Sequence, residues 1–87
     1  MDWTIEFDKK AQKQFTKLGN PVQKKIHAFL LKIAKHKNPR ALGIALKGKL
    51  HLFWRYRVGD YRIICQIIDD EIVVLVVAIG HRKEIYE

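Results

Sequence analysis

Three arginines, Arg55, Arg57 and Arg62, surround a short turn whose flanking residues are mostly apolar or aromatic. Gly59-Asp60 fits the two-residue loop of a β-hairpin. That loop places Arg57 directly opposite Arg62. Because side chains alternate between the two faces of a strand, the sequence predicts all three arginines on one face. The opposite face would then carry Trp54, Tyr56, Val58, Tyr61 and Ile63.

The predicted pairing of two arginines indicates an anionic ligand. Like charges directly opposite each other on neighbouring strands repel. A negative group above them relieves that repulsion, and guanidinium groups match the oxygens of a phosphate. Phe53 and Gln66 are expected on the same face, and this mixture of aromatic, polar and cationic groups suits single-stranded RNA. The alternative is an ordinary solvated sheet face.

A second group of candidate residues follows the last predicted strand, in an irregular stretch at residues 80–86. His81 could transfer a proton near neutral pH. Arg82 could neutralise a phosphate, and Tyr86 could stack on a base. The alternative is a solvated basic tail in which Tyr86 packs on the sheet.

The composition limits the class of protein and its partners. The 87 residues carry a formal net charge of +8, which favours nucleic acid, an anionic membrane or an acidic protein as partner. Cys65 is the only cysteine, so no intramolecular disulfide can form, which suits a reducing cytosol. The N-terminus lacks a signal-peptide pattern, and the longest apolar run, residues 72–79, is too short to span a bilayer. We expect one cytoplasmic domain, residues 1–87, without membrane contact.

The order of predicted elements is βααβββ. Residues 3–7 alternate as a strand does, Asp8 can cap a first helix, and Asn20-Pro21 opens a second, with Asn20 as N-cap. Residues 39–49 are predicted to be a loop. Strands follow at about 50–58, 61–68 and 71–79, and the last is apolar on both faces and therefore central. The sequence thus predicts an α+β domain in which a helical hairpin packs on a mostly antiparallel four-stranded sheet.

These features together resemble the RelE/ParE toxin superfamily over essentially the whole chain. The resemblance rests on the βααβββ order, Leu46-Lys47-Gly48, residues 54–64 and the Gly80-His81-Arg82 ending with Ile85-Tyr86. It implies a toxin of a type II toxin–antitoxin system. RelE-like members cut mRNA in the ribosomal A site without a metal or other cofactor. ParE-like members instead inhibit DNA gyrase and cut nothing, and a non-toxic binding module is a third alternative.

The resemblance also implies partners: an acidic antitoxin, the ribosome with its mRNA and ribosomal RNA, and operator DNA for the toxin–antitoxin pair. It implies that Arg62 contacts the scissile phosphate, that Arg82 stabilises charge or assists the leaving group, and that Tyr86 stacks on a base. Arg55 stands where the best-known members have a lysine proposed as the base. Arginine is a poor base because its pKa lies above about 12, so His81 is the better candidate for proton transfer.

The candidate residues fall into two groups. The catalytic candidates are Arg55, Arg62, His81, Arg82 and Tyr86. The candidate RNA-binding residues are Lys47, Lys49, Phe53 and Arg57. No His, Cys, Asp or Glu set has metal-ligand spacing, so no metal site is predicted.

Overall fold

The computed structural model describes residues 2–47 and 52–83. Within these two ranges the domain has two α-helices and five strands. In chain order they are β1 (Thr4–Phe7), α1 (Lys9–Thr16), α2 (Asn20–Lys35), β2 (Ile44–Ala45), β3 (Phe53–Val58), β4 (Tyr61–Ile68) and β5 (Val73–His81). Two short 3₁₀ helices, at Pro39–Leu42 and Asp69–Glu71, connect α2 to β2 and β4 to β5.

The strands form one mixed sheet in the order β1-β5-β4-β3-β2. β1 pairs with β5 in parallel, and the other three pairs are antiparallel. β5 therefore has a neighbour on each side, as its apolar sequence predicts. The prediction of four strands was one short, because Ile44 and Ala45 pair with Arg55 and Trp54 inside the segment predicted to be a loop. Two residues are too few to show an alternating pattern.

The N-termini of the two helices lie at, or within one residue of, the predicted positions. Asp8 caps α1 as predicted, its Oδ1 accepting a hydrogen bond from the Ala11 N–H at 2.8 Å. The predicted N-cap of α2 was wrong by one residue. Gly19 is the N-cap, and Asn20 is already helical. No side chain within residues 2–47 and 52–83 caps this end of the helix. Pro21 still suits the first turn, where a backbone N–H has no partner within the helix.

Both helices cover one face of the sheet. The core between them is formed by Ala11, Ile26, Leu30, Ile33, Tyr56, Ile63, Cys65, Val74, Val76 and Ile79. Along β5 the pairing with β4 passes from Ala78 directly to Val76, so a register shift keeps both Val76 and Ile79 towards the helices. Burial raises the pKa of the Cys65 thiol far above its usual range, and a thiol in that state is unreactive.

We call the other side of the sheet the arginine face, because it carries Arg55, Arg57 and Arg62. Neither helix covers it. No helix among the described residues is both long and apolar enough to cross a membrane.

Candidate functional site

The β3–β4 hairpin has the predicted register. Val58 pairs with Tyr61, Arg57 pairs with Arg62, and Gly59 and Asp60 form the loop. Gly59 has a φ of 58°, a conformation that glycine adopts without steric cost and that a tight hairpin loop requires. The prediction that three arginines share one face is confirmed.

The two opposed guanidinium groups lie in different environments. Arg62 is only 4% exposed, and its Nη1 donates hydrogen bonds to the carbonyl oxygens of Gly59, at 3.2 Å, and Tyr61, at 3.1 Å. Arg57 is exposed. The sequence predicted that these two opposed arginines share an anionic ligand, with a phosphate as the candidate. In the structure, Arg62 is fixed against the turn, and Arg57 remains open to solvent.

Arg82 contacts the same hairpin loop through Asp60. Its backbone N–H donates to the Asp60 carbonyl oxygen at 2.7 Å, and its Nε lies 3.9 Å from Asp60 Oδ1. Both side chains are more than half exposed. The hairpin loop thus holds Arg62 through Gly59 and Arg82 through Asp60. The structure brings these two candidate residues to one end of the sheet.

His81 is placed differently from the prediction. It is the last residue of β5 and not part of an irregular tail, because β4 begins at Tyr61 and offers it a ladder partner. Since paired residues share a face, His81 lies with Tyr61, on the side opposite Arg62. The two rings make an edge contact, with centroids 5.5 Å apart. The Lys83 N–H donates a hydrogen bond to His81 Nδ1 at 3.2 Å.

The end of β5 is held by a residue that the sequence did not single out. β1 pairs only as far as Val76, so no strand among the described residues lies beside the next part of β5 on that side. Gln14 on α1 takes this place, its Oε1 accepting a hydrogen bond from the Ile79 N–H at 2.7 Å. Gln14 therefore fixes the backbone immediately before Gly80, which lies opposite Arg62. Nothing in a lone helical glutamine signals this role.

The arginine-bearing strand β3 is anchored at its other end. The Tyr56 hydroxyl donates to the Pro39 carbonyl oxygen at 2.7 Å, and Trp54 Nε1 donates to that of Arg40 at 3.0 Å. Burial raises the pKa of Tyr56 far above its usual range, so the phenol keeps its proton and can donate it. These bonds fix β3 to the 3₁₀ helix at Pro39–Leu42.

Arg40 ties the same 3₁₀ helix to the turn before β5. Its Nη1 and Nη2 donate to Asp69 Oδ1 and Oδ2 at 2.9 and 2.8 Å. Hydrogen bonding from Arg40 lowers the pKa of the Asp69 carboxyl, and the same bond raises the pKa of Arg40. Local sequence patterns do not indicate this pair, because its members are 29 residues apart.

The remaining candidates divide by position. Phe53 pairs with Gln66 on the arginine face, as predicted. Lys47 is exposed just after β2. Lys49 and Tyr86 lie outside the described residues. Within residues 2–47 and 52–83, no three His, Cys, Asp or Glu side chains lie close enough together to hold a metal ion.

Comparison with known proteins identifies the family of this fold and site. The family profile described as "ParE toxin of type II toxin-antitoxin system, parDE" matches residues 5–86. The mRNA interferase toxin RelE of Escherichia coli (strain K12) is 30% identical over 99% of this chain and 92% of the relative. This chain belongs to the RelE/ParE toxin superfamily.

Solved structures of RelE/ParE relatives have the same fold. The isolated E. coli RelE toxin is 26% identical, with a TM-score of 0.76 over 91% of this chain and 83% of that one. The toxin–antitoxin complex RelBE2 of Mycobacterium tuberculosis is 25% identical in the matched chain, with a TM-score of 0.73 over 94% of this chain and 100% of that one. The superfamily assignment thus rests on sequence and on three-dimensional structure.

Proposed function

We propose that this protein is a RelE-like toxin of a type II toxin–antitoxin system, a ribosome-dependent endoribonuclease that cuts mRNA in the A site. The observation that carries the proposal is the convergence of Arg62 and Arg82 on one hairpin loop. The mRNA interferase name of its E. coli relative supports it. The proposed place of action is the cytoplasm, where an acidic antitoxin holds the toxin inactive and the pair binds operator DNA.

The proposed reaction is attack of an RNA 2′-OH on the adjacent phosphate. The 2′-O–P bond forms as the 2′-OH loses its proton, and the P–O5′ bond breaks as the leaving O5′ takes up a proton. A cyclic phosphate remains, which water can hydrolyse to a 3′-phosphate. Negative charge develops on the phosphoryl oxygens during this step, and fixed guanidinium groups stabilise it without a metal. Arg62 suits this role because its hydrogen bonds to the turn hold it in place before substrate arrives.

Proton transfer is assigned to His81, with Arg55 as an electrostatic and not a basic group. An arginine does not deprotonate in a protein. His81 neighbours Arg82 in sequence, but its pairing with Tyr61 puts it on the other face from Arg62. Because His81 lies on the other face from Arg62, most of the rate enhancement has to come from positioning of the substrate. We propose that the ribosome supplies this by holding the mRNA in place. Tyr86 retains the proposed role of stacking on a base.

The experiment is primer extension on a defined mRNA, with purified protein, in the presence and absence of programmed ribosomes. Cuts at the A-site codon only with ribosomes support the proposal. In Arg62→Ala, cutting should fall by about 10²–10³-fold, as when an enzyme loses a preorganised charge-stabilising donor. Arg62→Lys is the matched control, since it keeps the charge but lacks the planar donor group, and circular dichroism verifies its fold. Full cutting by Arg62→Ala would contradict the proposal.

Inhibition of DNA gyrase is the second candidate function, and the matching ParE family profile favours it. Arg55, which stands where the resemblance implies a lysine in the RNA-cutting members, also favours it. Its signature is DNA-damage signalling and blocked replication while translation continues. Protein that stops growth but cuts no mRNA, either with or without ribosomes, would support this candidate.

A further inference from the structure

A cavity of about 230 Å³ opens on the arginine face beside β3. Its lining consists of residues 41–44 together with Arg55 and Arg57. The Ile44 side chain belongs to this face because Ile44 pairs with Arg55. The cavity therefore has an apolar wall made by Ala41, Leu42 and Ile44 and a cationic wall made by two arginines.

The walls of this cavity are held in place by close packing. Gly43 lies so near β3 that a Cβ atom would stand 2.8 Å from Tyr56 Cδ1 and still closer to the Arg55 carbonyl oxygen. Only glycine permits that approach without a shift of backbone. The bond from Tyr56 to the Pro39 carbonyl adds a second tie, at 2.7 Å. The cavity is therefore present before any ligand binds.

The size and lining indicate the class of ligand. Pockets for drug-sized molecules start at about 300 Å³. A cavity of 230 Å³ therefore accommodates one flat ring system and is too small for several linked rings. A phosphate alone gains nothing from the apolar wall, and an aliphatic side chain gains nothing from the guanidinium groups. A nucleobase uses both, since its faces stack on apolar or guanidinium surfaces and its edges accept hydrogen bonds from arginine.

The cavity is also in reach of the phosphate site. Arg57 lines the cavity and lies directly opposite Arg62, and paired residues on neighbouring strands have Cβ atoms about 5 Å apart. An RNA phosphate above Arg62 would thus bring a flanking base to Arg57. We propose that the cavity between residues 41–44 and Arg57 binds one nucleobase of the RNA next to the scissile phosphate and sets base preference there, an inference that rests on the proposed RNA-cutting function.

The test fills the cavity and reads out base preference. Ile44→Trp places a large side chain at its mouth, and Leu31→Trp, at a similarly exposed apolar position on α2, is the matched control. Primer extension on mRNAs that vary the bases around the cut gives the preference at each position. We expect Ile44→Trp to change the preference at one position by roughly tenfold, the size of a lost base-stacking contact, while cutting continues. A preference profile equal to that of the wild type and Leu31→Trp would overturn the proposal.

A binding experiment separates this inference from the proposed function. If the wild-type protein cuts no mRNA, the function fails, and ¹⁵N-labelled protein is titrated with the four ribonucleosides, which carry no phosphate. Shifts confined to the amides of residues 41–44 and 57, and absent in Ile44→Trp, would uphold the cavity as a base-binding site. No such shifts with any of the four nucleosides would overturn it.

Discussion

The two faces of the β3–β4 hairpin are made by alternate residues of the same strands, yet they differ in burial and in charge. The face towards the helices buries Tyr56, Ile63 and Cys65 completely. The arginine face carries exposed Arg57 beside buried Arg62 and borders an open cavity. One face excludes water and contributes to the core, and the other carries positive charge.

Residues that stabilise the fold and residues with a proposed role in function therefore lie one position apart along the same strand. Because side chains alternate between the two faces, consecutive residues along a strand contact different partners. The separation is incomplete at Arg62, whose guanidinium also fixes the hairpin loop. Substitutions on the helix face should therefore act through folding, and those on the arginine face through RNA.

The largest effect on stability is expected from the helix face. Ile63 is fully buried in the core, so Ile63→Ala should lower the free energy of unfolding by about 2–5 kcal/mol, through lost burial and the cavity left behind. Urea denaturation followed by circular dichroism measures this change.

The control for that prediction is Ile44→Ala on the arginine face, where the side chain is 52% exposed. Its effect should remain within about 0.5 kcal/mol, as for most surface substitutions. Equal losses of stability in Ile63→Ala and Ile44→Ala would show that the two faces do not differ as described.

A smaller effect on stability is expected at Tyr56, a residue of the helix face whose hydroxyl fixes the strand that carries Arg55 and Arg57. Tyr56→Phe removes the hydroxyl that donates to the Pro39 carbonyl oxygen and leaves that buried acceptor without this donor. We expect a loss of about 1–3 kcal/mol in the free energy of unfolding. If the bond also holds the cavity wall, base preference should weaken along with stability. A variant as stable as the wild type would show that this bond contributes nothing.

Much of this fold could be predicted from local patterns, and the exceptions have physical causes. The alternation around Gly59-Asp60 defines the hairpin register, because a shift of one residue would turn every apolar side chain to the wrong face. The two-residue strand β2 has no such pattern. The cap at Gly19 was missed because proline and asparagine both suit a helix start, and backbone geometry alone decides between neighbouring positions.

The candidate site was less predictable than the fold. That Arg55, Arg57 and Arg62 share a face follows from alternation, but the burial of Arg62 depends on carbonyl groups of the turn, which carry no sequence signal. The side on which His81 lies depends on how far β5 continues along β4, a pairing of distant segments. The roles of these residues in RNA cutting stay predictions.

The smallest effect on stability, and the sharpest contrast between stability and binding, is expected at Arg57. The side chain is exposed and stands opposite Arg62, so Arg57→Gln removes a repulsion and should change the free energy of unfolding by no more than about 0.5 kcal/mol, towards higher stability. RNA binding should nevertheless weaken. If Arg57 neutralises one phosphate, the slope of log binding constant against log salt for single-stranded RNA should become shallower by about 0.7. Lys24→Gln, which removes an exposed charge from α2, should leave that slope unchanged. Equal changes in both variants would mean that net charge alone attracts the RNA, and the arginine face would then have no special part in binding.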